Sequence, residues 1–202
     1  MVADSAAGIR AERHASRTES LCTRGARYVT GSDITRVSSA LALEPWYLTE
    51  TAPASASDPT GIVTDGGRRR VNLRLANGPH GCVFLLRTVG ALGHCGLGEL
   101  APVSCRVFPA HLGDGAAPAA EKPGKKRQLT EADLDQEMLA EAKRGWTADR
   151  DHWFEVVKRW NALTAEKSKS DDEPGIRDFQ RYLLETHAAR EAGTAWPGEA
   201  AK

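Results

Sequence analysis

The 202-residue chain has four cysteines, and three of them, Cys82, Cys95 and Cys105, stand in one glycine-dense stretch that ends at Pro109. The fourth, Cys22, lies far upstream. Met1 to Ser20 shows no apolar core of signal-peptide length, since arginine, glutamate and histidine interrupt it. The chain is therefore expected in the cytosol, where thiols stay reduced and available to metals rather than paired as disulfides. A tetrahedral zinc site or a cubane iron–sulfur cluster each takes four thiolates. The count meets that need with none to spare. Gly81, Gly90, Gly93, Gly96 and Gly98 let the backbone bend tightly around a small object.

Spacing weakens the signal. Twelve residues separate Cys82 from Cys95 and nine separate Cys95 from Cys105, wider than the tight pairs of a zinc ribbon or finger. The plain alternative is that the cysteines are small buried hydrophobes.

Charge narrows the partners. Lysine and arginine number 27 and aspartate and glutamate 27, so neither nucleic acid nor an anionic membrane is expected as a partner. Arg68-Arg69-Arg70 is read as an exposed turn before a strand, because no aromatic residues interleave it. No stretch reaches the length of a membrane span. The chain also lacks a phosphate-binding glycine loop, a dinucleotide fingerprint, G-x-S-x-G and H-E-x-x-H.

Along the chain, residues 1–20 read as disordered and 21–112 as the cysteine-cluster domain. A Gly-Ala-Pro linker is expected over 113–128, a helical C-terminal segment over 129–192 and a disordered tail over 193–202. A helix is expected from Ser32-Asp33, capped by serine, with Ile34, Val37 and Leu41 on one face and its end at Pro45. Trp46-Tyr47-Leu48 offers an apolar anchor, and 51–61 reads as a loop. Val71 to Leu75 alternates as a half-buried strand, and Asn77-Gly78-Pro79 forces a turn. Within the C-terminal segment a first helix is expected from Thr130 to Asp133 onward, a second from Thr147-Ala-Asp149 with Trp153, Val156, Val157 and Trp160, and a third from Pro174 with Ile176, Phe179, Leu183 and Leu184. Their apolar stripes serve to pack within the chain or to bind a partner protein. The fold expected is α+β: a small irregular cysteine-cluster domain with a short helix and strand, followed by C-terminal helices.

Several separate pieces share one resemblance. Cys82-Val-Phe-Leu, Gly93-His94-Cys95 and Pro102-Val-Ser-Cys105-Arg-Val-Phe-Pro109, with Cys22-Thr-Arg running into Ser32-Asp33-Ile34-Thr-Arg-Val37, resemble the zinc- or iron-chelating cysteine-cluster family of the YkgJ type over about residues 20 to 112. That family reads C-x-F-L, then a cysteine in a short turn, then R-P-x-x-C-R-x-F-P. Two departures stand out. The family's first block reads like C-x-x-C-G-x-C-C, whereas Cys22-Thr-Arg-Gly25-Ala26-Arg27 keeps only its first cysteine, and Ala101 stands where an arginine is usual.

The resemblance implies a metal-binding protein with Cys22, Cys82, Cys95 and Cys105 as ligands of zinc or an iron–sulfur cluster. Arg106, beside a ligand, is expected to screen thiolate charge or to make a surface ion pair. His80 and His94 could each supply a ligand should Cys22 not serve, though His94, adjacent to Cys95, is expected rather outside the ligand set or exposed, and His111 is a weaker candidate. His14, His152 and His187 are expected at the surface. Two other readings follow: an iron–sulfur protein-modifying enzyme or its accessory subunit, and a metal-free interaction module with remnant cysteines.

Overall fold

The computed structural model describes residues 21–23, 25–87, 93–110, 112, 130–167 and 173–197. The expected disordered N-terminus, the linker over 113–128, the end of the tail, His14 and His111 lie outside the described residues. The architecture is α+β, as expected. The chain divides into two compact units that alternate along the sequence. One takes Met1–Val29 with Leu75–Trp146, the other Thr30–Arg74 with Thr147–Lys202.

In the second unit, the helix expected from Ser32 spans Gly31–Leu41 (α1), but its cap is Thr30. The Thr30 hydroxyl accepts from the Asp33 amide at 3.1 Å and the Asp33 carboxylate accepts from the Thr30 amide at 3.2 Å, a reciprocal capping box. Ser32 is thereby left to donate to Asp149 Oδ1 at 2.6 Å, beside Thr30 Oγ1 to Asp149 Oδ2 at 3.0 Å. Ile34 and Val37 are fully buried, whereas Leu41 is exposed. Pro45 opens a one-turn helix, Pro45–Leu48 (α2), of which Leu48 is buried and Tyr47 exposed.

The expected loop after it begins instead as a strand, Thr49–Pro53 (β1). It lies at the edge of a three-stranded sheet with Ile62–Thr64 (β2) and Arg69–Leu75 (β3), β3 being central. A proline is tolerated there because an edge strand has one side without a ladder. The alternation read at Val71 to Leu75 is observed: Val71, Leu73 and Leu75 are buried and the residues between them half-buried.

The two helices expected from Thr130 and Thr147 are one helix, Gln136–Lys167 (α4), numbered after the turn Val103–Arg106 (α3). The Thr130–Asp133 capping box is present but closes only a 3₁₀ turn, and Asp135 Oδ1 accepts from the amides of Glu137 and Met138 to start the helix proper. Gly145 and Thr147 do not break it. A single exposed glycine costs a helix only about 1 kcal/mol against alanine, and Ala140 to Arg144 before it are strong helix formers. The last helix, Ile176–Ala192 (α5), follows Pro174 as expected.

Phe179 and Leu183 on α5 and Val156 and Val157 on α4 are fully buried. Phe179 meets Trp153 and Trp160 edge-on, at 5.6 and 5.5 Å between ring centres. The Trp160 indole donates to Val63 O at 2.8 Å, and Asn161 bonds both Val63 N and Gly61 O, so α4 binds the backbone of β2. These stripes are buried inside their own unit.

His152 and His187, expected at the surface, are not there. His187 is buried and His152 half-buried, and their rings meet edge-on at 4.9 Å, with Trp196 at 5.5 Å from His152. Both stripes read as helical faces, and the rings complete the apolar side of each. The His152 imidazole is held down to about 4, first by burial, then by Arg190 and His187, against the pull of Asp149. Burial and Arg190 lower His187 as well, again against Asp149.

The unfolded chain binds these protons near the ordinary value of 6.5, and the folded chain does so only lower down. Stability present above 6.5 is therefore lost as the pH falls from 6.5 towards about 4. Urea midpoints at pH 7 and pH 4.5 are expected to fall less for His152→Phe than for the wild type. Equal falls would contradict a histidine buried neutral.

Candidate metal centre

All four cysteines belong to the first unit, and different local devices position each one. Asn77–Gly78 (β4) pairs antiparallel with Gly81–Cys82 (β5), the hairpin that Asn77-Gly78-Pro79 signalled, and sets Cys82 opposite Asn77. Leu85–Leu86 (β6) pairs antiparallel with His94–Cys95 (β7) and sets Cys95 opposite Leu85. The Gly96 amide then donates to Phe84 O at 2.8 Å and closes that ribbon. Cys105 rides the single turn α3, its amide donating to Pro102 O at 2.9 Å.

Cys22 reaches the others through backbone contact. Gly81 has φ +111° and lies so close to Cys22 that a Cβ on it would stand 2.3 Å from the Cys22 carbonyl oxygen. Only glycine fits both the conformation and the space. Two further bonds fix the same segment. The Leu75 amide donates to Arg27 O at 3.0 Å, and Ser104 Oγ, next to Cys105, donates to Tyr28 O at 2.6 Å. The Cys22 segment is thus bonded to the start of the hairpin and to the Cys105 turn.

Cys22, Cys82 and Cys105 are buried and Cys95 is half-buried. All four are thiols rather than half-cystines. Their mutual reach is visible at Cys105. Burial pushes its thiol up to about 12, and the fields of Cys22, Cys82 and, more weakly, Cys95 push the same way, against a hydrogen bond with Ser104. A bare thiolate is strongly disfavoured at such a place. A bound cation reverses that sign, because a coordinating thiol is deprotonated outright.

The unit also has an apolar core, in which Val107, Leu134 and Leu139 are buried with Leu112 and Met138 against them. These residues come from both sides of the linker expected over 113–128. His80 and His94 are exposed, so neither reserve ligand lies buried with the thiols. Among the described residues, no group of three or more His, Cys, Asp or Glu side chains is placed so as to hold a metal ion. A cysteine side chain has a single torsion with three staggered wells, and turning it re-aims the sulfur without moving the backbone.

Arg27 is the residue that sequence reasoning missed. Its side chain is 1% exposed, and its guanidinium binds the carbonyls around Cys22 and the side chain of Asn77. A lone arginine after a cysteine gives no local sign of burial, since its side-chain partner Asn77 lies fifty residues away.

No family model matches the chain, and neither a curated protein nor a solved structure matches it. Among the described residues no helix is long and apolar enough to cross a membrane.

Proposed function

We propose that this protein binds a metal through Cys22, Cys82, Cys95 and Cys105, as one zinc ion or one iron–sulfur cluster, in a reducing compartment such as the cytosol. One observation carries the reading. All four cysteines fall in one compact unit, and the Gly81 backbone stands against the Cys22 carbonyl, which brings the Cys22 segment to the Cys82 hairpin. The resemblance over residues 20 to 112 points the same way.

Held by four thiolates, zinc would be structural, with no coordination position left for a substrate; an iron–sulfur cluster would supply electron transfer. The chain's own role is to close two long loops, 22 to 82 and 82 to 105, and metal binding offsets the entropy of doing so.

A second reading, a metal-free interaction module with remnant cysteines, is favoured by the placement of the side chains, which form no ligating group among the described residues. Titration of the reduced protein with cobalt(II) separates the two. One equivalent giving intense visible bands and thiolate charge-transfer absorption is expected from a tetrahedral thiolate site. A folded protein whose spectrum does not change on adding cobalt would leave the metal-free module standing.

A further inference from the structure

The chain leaves α5 through Gly193, at φ +65°. The Gly193 amide donates to Arg190 O at 3.2 Å and the Thr194 amide to Ala189 O at 2.9 Å, the paired bonds of a Schellman turn. Trp196 follows, outside any helix. Its ring nevertheless lies 5.5 Å from that of His152, and the Arg159 guanidinium stands 4.1 Å over it. His152 and Arg159 are two turns apart on one face of α4. Residues 194–197 are thus a short strap that lays an indole along α4.

That indole adjoins a pair of imidazoles with an unmet need. His187 is 6% exposed, its ring meets that of His152 at 4.9 Å, and the Nε2 atoms of both are buried without a hydrogen-bond partner. Gly31, first residue of α1, is so close that a Cβ on it would stand 2.7 Å from His187 Nε2. The positive end of α1 is therefore set against His187. Arg190 on α5 also opposes a proton on either ring, and Asp149 on α4 favours one. Both Asp149 oxygens already accept from Thr30 and Ser32.

An imidazolium at this place needs an acceptor for its new N–H, and water is the one within reach. Something must move to admit it. The helices around the pair are locked by Val156, Val157, Phe179 and Leu183, all fully buried. The strap has no ladder and one half-buried anchor, so it opens at the lowest cost.

We propose that residues 194–197 form an acid-released strap: Trp196 seals the neutral His152–His187 pair from water, and a proton taken up by the pair frees the indole from α4 before the helices part. The inference is independent of the metal reading.

The test uses the full chain labelled with fluorotryptophan, the Trp196 signal being the one lost in Trp196→Phe. As the pH is lowered from 7 towards 4, the fluorine signal of Trp196 is expected to move to the position of a solvated indole while those of Trp153 and Trp160 keep their native shifts. In Trp196→Ala, water reaches the pair, and the His152 ring signals are expected to titrate roughly one pH unit or more above the wild type, towards the ordinary 6.5. Movement of Trp196 only together with Trp153 and Trp160, or none while His152 titrates, would overturn the strap. Identical His152 titrations in the wild type and Trp196→Ala would show that the indole seals nothing. Should Trp196→Ala not fold, the wild-type fluorine titration decides alone.

Discussion

Alanine in place of Cys105 is expected to abolish stoichiometric metal binding and to unfold the cysteine unit at temperatures where the wild type is intact. Structural zinc contributes roughly 10–16 kcal/mol in small thiolate sites at neutral pH. Losing one of four ligands removes a large share of that, far more than the unit's small core of Val107, Leu134 and Leu139 can offset. In a metal-free module the same change deletes one small buried side chain and costs on the order of 1 kcal/mol. Hydrogen exchange over residues 75–110 reads the difference directly. Protection lost throughout that stretch agrees with a metal centre. Protection lost only around residue 105 does not.

Gly81→Ala is the second large effect. Two penalties coincide at that residue, a φ of +111° and an added Cβ 2.3 Å from the Cys22 carbonyl. Strain of this kind costs about 1–3 kcal/mol, and overpacking against backbone about as much again. The control is Gly98→Ala. Gly98 also has a positive φ, +52°, but a Cβ there would meet nothing within 4 Å. Its cost is expected to stay near ~1 kcal/mol. Denaturant midpoints of the two variants should therefore differ widely, and only Gly81→Ala should also reduce metal uptake, since it displaces Cys22. Equal midpoints would mean that Cys22 is not held against the hairpin.

What could be read in advance follows from the range of the forces involved. The α1 helix, the β3 strand and the Asn77-Gly78 turn are written in residues a few positions apart, so their signals survive in sequence alone. The Thr30 cap escapes a sequence reading because two nearby hydroxyls compete for it, and Asp149, more than a hundred residues on, takes Ser32. The β1 strand depends on pairing at a sheet edge that no local pattern specifies. One α4 in place of two helices shows that neither Gly145 nor the capping signal at Thr147 stops a helix whose later turns bury Trp153, Val156, Val157 and Trp160.

The candidate site divides in the same way. Four cysteines are countable, and the motif around Cys82, Cys95 and Cys105 is local. Neither count nor motif tells that Gly81 admits Cys22, that Ser104 bonds the Cys22 segment, or that Arg27 is buried on Asn77. Each of these joins residues far apart in the chain. The burial of His152 and His187 is illegible for the same reason, since a histidine on a helix face looks alike whether a neighbour covers it or not.

The most direct test of the central claim is metal content, with an absorption spectrum, on protein purified without oxygen. One zinc per chain in a colourless solution, or iron with sulfide in a brown one, is the result expected of a four-thiolate centre at Cys22, Cys82, Cys95 and Cys105. A folded protein with no stoichiometric metal of either kind would contradict it.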